Sequence, residues 1–110
     1  MKKMMLASVA ALGLCVSLNV AAQDNNQMNQ EYMRAMDKMH QPMMDAAKIK
    51  DADVSFVKGM IAHHQGAIEM ARIELKYGKD PKLKKLAQNI ISAQQQEIKF
   101  MQQWLRQHNH

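Results

Sequence analysis

The feature that most constrains the fold of this chain is an apolar residue at every third or fourth position through three long segments. This spacing is the period of an α-helix, and no segment alternates apolar and polar residues with the period of two that a β-strand requires. The segments cover roughly residues 25–48, 53–77 and 81–107. Their short connections favour antiparallel neighbours. We therefore predict an all-α protein, a small antiparallel bundle of three main helices.

Residues at the ends of the segments support these limits. Asp53 can accept hydrogen bonds from the first backbone N–H groups of the second helix, and Gly78 follows its last turn. The third helix begins at Asp80-Pro81, a capping residue followed by proline at the first helical position. Pro42 lies inside the first segment and removes a backbone donor, so we expect a kink or a short break there.

Residues 1–22 have the order of a secretory signal peptide. Lys2 and Lys3 precede an apolar run over residues 6–20, and the small pair Ala21-Ala22 follows it. A membrane anchor is the alternative, but the run is shorter than the roughly 20 apolar residues that a spanning helix needs. We predict cleavage after Ala22, one domain over residues 23–110, and no membrane association after cleavage.

Charge and cysteine content exclude several classes of protein. The formal net charge is +5, and Lys2 and Lys3 contribute two of these charges, so the cleaved chain would carry +3. Nucleic-acid binding usually needs a larger and more concentrated positive surface, so we expect no such partner. Cys15 is the single cysteine and lies in the predicted signal peptide. The cleaved chain would therefore have no disulfide, zinc-thiolate site or cysteine nucleophile.

Methionine shows the opposite bias. The chain has twelve methionines, and all but Met1, Met4 and Met5 follow the predicted cleavage site. A thioether is a soft ligand that favours Cu(I), whereas the alternative is that methionine is a flexible core filler. In the first helix these residues supply nearly all of the apolar side chains, where leucine or isoleucine would define a core better. They are Met28, Met33, Met36, Met39, Met43 and Met44.

Polar side chains also fall inside the apolar stripes. A helical projection places His63 and His64 beside Met60 in the second helix, His40 among the methionines of the first, and Glu97 inward in the third. A lone histidine on an apolar face is more often a hydrogen-bonded core residue. Several such residues together with methionine favour a metal site, and imidazole with thioether indicates copper ahead of zinc or iron.

The position of Glu97 allows three roles. The carboxylate can orient an imidazole toward a metal, ligate directly, or reach water from the edge of its helix. A di-iron bundle needs Glu-x-x-His pairs and a common zinc protease needs His-Glu-x-x-His, and the sequence contains neither. Ser55 and Ser92 have no evident base, so we expect no enzyme activity.

The second helix also carries a family signature. Residues 56–71, which read FVKGMIAHHQGAIEMA, resemble the DUF 305 family, which includes CopM-like periplasmic copper-binding proteins, and the similarity continues through residues 75–81 and 94–105. This resemblance implies a ferritin-like helical bundle, export to the periplasm, and copper held by methionine and histidine. The implied ligands are Met60, His63, His64 and Met70, with His40, Met43 and Met44 as additions. Gln94, Glu97 and Met101 match family positions in the third helix, and their ligand role is our own inference.

We therefore predict a periplasmic protein that sequesters or transfers copper, as Cu(I), with a copper-donor or copper-acceptor protein as partner. The alternative is a methionine-rich helical protein that presents an adaptable groove to other chains and binds no metal. That groove would tolerate the loss of histidine, whereas a copper site would not. Three helices bury a bundle core incompletely, so we also expect a homodimer.

Overall fold

The computed structural model of this protein describes the backbone of residues 7–110 and the side chains of residues 20–110. It contains three helices, α1 (Ala7–Ala47), α2 (Ala52–Tyr77) and α3 (Pro81–Gln107), and no strand occurs in this part of the chain. The predicted fold class is confirmed. No helix within the described residues has an apolar stretch long enough to cross a bilayer. The predicted signal peptide falls almost wholly outside the described side chains, and it stays a prediction together with the domain limit at residue 23.

The ends of α2 and α3 show how local capping determines the helix limits. Asp51, rather than the predicted Asp53, caps α2, because its carboxylate accepts a 2.9 Å hydrogen bond from the backbone N–H of Val54. Asp53 lies in the first turn, where a negative charge still favours the positive end of the helix. Gly78 ends α2 and Asp80 caps α3, as predicted.

The expected break at Pro42 does not occur, because α1 continues through this residue. A proline inside a helix removes the hydrogen bond to the carbonyl four residues earlier, which here belongs to Lys38. Lys38 is exposed, so water can replace the missing donor. The helix therefore continues past Pro42 although it lacks one backbone hydrogen bond there.

Helix α2 lies between α1 and α3 and packs against both, whereas α1 and α3 do not contact each other over the described residues. Small residues on the α1 side let the two helices approach closely. A methyl group on Gly59 would lie 3.7 Å from Cβ of Ala46, and one on Gly66 would overlap the sulfur of Met39. Ala62, between these two glycines, is buried. The opposite side of α2 packs against α3.

The three helices form a single layer, 15 Å thick between Cα atoms along its shortest axis. No described side chain is completely shielded from solvent, because one layer of helices has nothing above or below it to complete a core. The two surfaces of this layer differ in character. Arg72 and Met70 point about 200° apart around α2, and each lines a groove on its own surface.

We call these the polar and the apolar surface. The polar surface has a groove between α1 and α2, lined by Glu31, Arg34, Lys38, Glu69, Arg72 and Ile73. The apolar surface has a groove of about 320 Å³ between α1 and α3, with α2 as its floor. Its lining is Tyr32, Ala67, Met70, Ala71, Glu74, Leu83, Leu86, Ala87 and Ile90.

Glu31 connects α1 to the end of α2. Lys76 Nζ donates a 2.6 Å hydrogen bond to the Glu31 carboxylate, and the Tyr77 hydroxyl donates a second one at 3.1 Å. The bond from Lys76 is the main reason that the pKa of Glu31 is lowered, and the same bond raises the pKa of Lys76. Because the folded carboxyl has the lower pKa, this contact is lost in acid, when Glu31 becomes protonated.

Asp51→Ala is expected to lower the free energy of unfolding by about 1 kcal/mol, because it leaves the first N–H groups of α2 without their side-chain acceptor. In a domain of this size, the melting temperature followed by circular dichroism should then fall by roughly 4–8 °C. Asp37→Ala, at an exposed position within α1, is the control and should leave the melting temperature unchanged. Equal losses in both variants would show that this cap does not stabilise α2.

Candidate metal centre

His64 is the one residue of polar type that is buried within the described part of the chain. It lies on the α3 side of α2 with only 6% of its surface exposed, and its Nε2 contacts the Glu97 carboxylate of α3. The Glu97 side chain remains 60% exposed. Glu97 therefore combines two of its three expected roles, because it pairs with an imidazole and also reaches water.

The other ring nitrogen of His64, Nδ1, is buried and has no hydrogen-bond partner. Among the described residues only Oε1 of Gln94 shares this condition. Gln94 lies one turn before Glu97, on the same side of α3. Buried polar atoms without a partner are uncommon in folded proteins, and a bound water or ion is one of the usual reasons for them. Two such atoms at the α2–α3 interface therefore indicate a candidate ligand site.

The contact with Glu97 determines which nitrogen of His64 carries the hydrogen. An ionised carboxylate only accepts, so we assign the hydrogen to Nε2, which donates it to Glu97. A second hydrogen on Nδ1 would be a buried N–H group without an acceptor, which is costly. In the neutral ring with this hydrogen on Nε2, Nδ1 carries a bare lone pair. This is the form that binds a metal, and a carboxylate on the other nitrogen is a frequent partner of metal-bound histidine.

Two thioethers lie next to this pair. Helices α2 and α3 run antiparallel, so steps of four residues in opposite directions along them stay opposite each other. Met60 is four residues before His64, and Met101 is four residues after Glu97. Both sulfur-containing side chains therefore lie one turn beyond the pair, with Met101 buried and Met60 half-buried. Helix geometry therefore puts Met60 and Met101 within one turn of the His64–Glu97 pair.

His63 is close to this place but faces elsewhere. Its ring centre lies 6.4 Å from that of His64, at an interplanar angle of 65°, and its side chain is exposed. Within the described residues there is no group of three or more histidine, cysteine, aspartate or glutamate side chains that could hold a metal ion. A metal on Nδ1 of His64 would thus take further ligands from methionine sulfur, which Met60 and Met101 carry.

Met70 belongs to a different part of the protein. Met70 is six residues after His64, which is about 9 Å along the helix axis, and on another side of the helix. It lines the apolar groove together with Leu83 and Leu86 of α3, and it is 41% exposed. The structure therefore does not bring Met70 to the His64 pair.

The candidates of α1 are also separated from that pair. His40 and Met44 are exposed and Met43 is half-buried, and α1 packs on the side of α2 opposite α3. The sequence analysis grouped His40, Met43 and Met44 with His64 and Glu97 in one copper site. Within a single chain α2 lies between these α1 residues and Glu97, so they do not form one site.

Sequence reasoning missed the second buried side of α2. The helical projection showed one apolar face, whereas Gly59, Ala62 and Gly66 form another that packs against α1. Small residues at intervals of three and four are the signal that could have predicted this contact. Near the end of the chain, the ring of His108 stacks on Trp104 with 3.9 Å between the ring centres, and its Nδ1 lies 2.8 Å from the Trp104 carbonyl oxygen.

Comparison with known proteins defines the class to which this helical layer belongs. The chain is a member of the DUF305 family, described as a domain of unknown function, whose model matches residues 3–105. An uncharacterized protein of Acanthamoeba polyphaga mimivirus is 45% identical to it over 49 residues. This match spans 44% of the present chain and 32% of the viral protein. The chain thus covers about a third of that relative's length.

Proposed function

We propose that this protein binds copper as Cu(I) at the α2–α3 interface, with Nδ1 of His64 as the nitrogen ligand. The observation that carries the proposal is the buried Nδ1 atom, which has no hydrogen-bond partner while Nε2 is held by Glu97. A metal ion would use the Nδ1 lone pair that the protein leaves unpaired. Glu97 would fix the orientation of the ring and increase its basicity.

The surrounding donors favour a soft metal. Met60 and Met101 lie one turn from the His64–Glu97 pair and offer thioether sulfur, which binds Cu(I) well and hard cations such as Mg²⁺ poorly. The site is also partly protected from water, since His64 and Met101 are each 6% exposed. Gln94, whose Oε1 is also buried without a partner, lies one turn from Glu97 on the other side of the pair from the two thioethers.

We infer sequestration or transfer of the ion rather than catalysis. The signal-like order of residues 1–22 supports export to the periplasm, where the cargo would arrive from or leave to another copper-binding protein. The position of His64 close to a solvated carboxylate supports exchange, because an ion can reach it from the edge of the interface. Binding should weaken in acid, since protons compete with copper for the imidazole.

The apolar groove supports a second candidate function, the capture of a partner chain without a metal. Its floor of alanines and its walls of Leu83 and Leu86 are suited to apolar side chains, and Met70 would adapt to them. This function depends on the groove and tolerates the loss of histidine.

The test is a competition for Cu(I) between the protein and a chelator of known affinity. The full sequence is expressed, and the protein is assayed as the cell has processed it. His63→Ala/His64→Ala should weaken binding by at least about 100-fold, because even outer partners of metal-bound histidine contribute 10–100-fold. His108→Ala/His110→Ala removes the same number of imidazoles from the end of the chain and should bind like the wild type. Equal copper retention by all three proteins would refute the site, and unchanged partner capture by the first variant would favour the groove.

A further inference from the structure

The apolar surface of the layer is unpartnered along most of its length. In α2, Phe56, His63 and Met70 follow each other at intervals of seven residues, which is nearly two helical turns, so they lie in one row. In α3, Leu86 and Phe100 are fourteen residues apart and also lie on one side. Phe56 and Phe100 are 64% and 68% exposed. The apolar groove between Tyr32 of α1 and Leu86 of α3 is one end of this surface.

The methionines of α1 extend the same surface. Met36 is one turn after Tyr32, which lines the groove, and it is 48% exposed. Met33 and Met44 are also largely exposed. Monomeric proteins rarely expose contiguous apolar patches beyond a few hundred Å². A patch that continues across three helices therefore indicates a surface that is covered in the functional state.

We propose that a second copy of this chain covers the apolar surface, so that two single layers pack face to face as a homodimer. Protein domains are usually built from two packed layers around one core, and this chain supplies one. The layer is 27 Å wide, and helices of this length span about 40 Å. Each copy would thus bury up to roughly 1,000 Å², above the ~800 Å² per partner that is typical of a stable interface.

The charge distribution favours a second copy over a partner of opposite charge. In a two-fold interface a surface meets its own copy, so a surface with few charges suits such an interface better than a highly charged one. The groove of the polar surface is lined by five charged residues, Glu31, Arg34, Lys38, Glu69 and Arg72, and would face solvent in the dimer. The apolar groove contains one charged residue, Glu74. This inference does not depend on copper binding.

The test is sedimentation velocity of the metal-free protein across a dilution series, with the mass of one chain taken from mass spectrometry of the same sample. The wild type should sediment at twice that mass. Leu86→Glu should raise the dimer dissociation constant by at least about 100-fold, because an unpaired carboxylate would be buried in each copy. Gln88→Glu adds the same charge two residues away, at an exposed position that points about 200° from Leu86, and should remain dimeric.

Circular dichroism shows whether the variants keep their helices. If Leu86→Glu unfolds, Phe56→Glu on α2 makes the same test at a more exposed position, with Gln65→Glu as its control. A wild type that stays monomeric throughout the series would overturn the proposal. Equal dissociation constants for folded Leu86→Glu and Gln88→Glu would overturn the assignment to the apolar surface.

Discussion

His64→Ala is expected to weaken Cu(I) binding by at least about 100-fold, whereas His63→Ala should weaken it only slightly. The two residues are neighbours in the sequence, but only His64 is buried against α3 and paired with Glu97. Loss of a ligand should exceed the 10–100-fold effect of losing an outer partner. The exposed ring of His63 lies on the apolar surface rather than inside the α2–α3 interface.

The same competition assay measures both single variants, and thermal unfolding without metal is the control for the fold. His64→Ala should remain folded, because Glu97 is already 60% exposed and water can solvate its carboxylate once the imidazole is gone. A larger loss of affinity in His63→Ala than in His64→Ala would contradict the assignment of Nδ1. Unfolding of metal-free His64→Ala would show that the pair stabilises the fold and that its copper result cannot be attributed to a ligand.

Met101→Ala is expected to lower the free energy of unfolding by about 2 kcal/mol, because it leaves a cavity between α2 and α3. The lower end of the usual range applies, since the layer has no completely enclosed core. The melting temperature should fall by roughly 8–16 °C. Met101→Leu conserves the side-chain volume and should cost less than about 1.5 kcal/mol.

This pair of substitutions separates packing from ligation. Both remove the thioether sulfur, so both should reduce the affinity for Cu(I), although only Met101→Ala strongly lowers the melting temperature. Thermal circular dichroism and chelator competition on the same samples give the two quantities. If Met101→Leu binds copper as tightly as the wild type, Met101 is not a ligand and contributes only to packing.

The helices were predictable because their signals are local. Gly78 and the Asp80-Pro81 pair act on backbone groups within a few residues, so the end of α2 and the start of α3 agree with the prediction. The cap of α2 was misplaced by two residues, because Asp51 and Asp53 are both suitable caps. The turn after α1 selects between them, and the Ser55 hydroxyl, which donates to the Ala46 carbonyl oxygen at 2.8 Å, is part of that turn.

The candidate centre was predictable only in part. Helical periodicity placed His63, His64, Met60 and Glu97 on inward faces of their helices. It could not predict which of these faces pack against each other. The structure selects His64 as the partner of Glu97 and leaves His63 exposed. Met70 was predicted to be a ligand together with these residues, but it lines a separate groove. These outcomes depend on the register between α2 and α3, which no single helix encodes.

Capping and helical periodicity are properties of short segments, so three helices and a position for each polar residue on its helix follow from the sequence alone. The packing of the helices places α2 between α1 and α3, which separates the methionines of α1 from the carboxylate of Glu97. The physical reason is the row of small residues Gly59, Ala62 and Gly66, which lets α1 pack closely on the side of α2 opposite His64. With both of these sides of α2 occupied, the apolar row through Phe56, His63 and Met70 is left at the open surface of the layer.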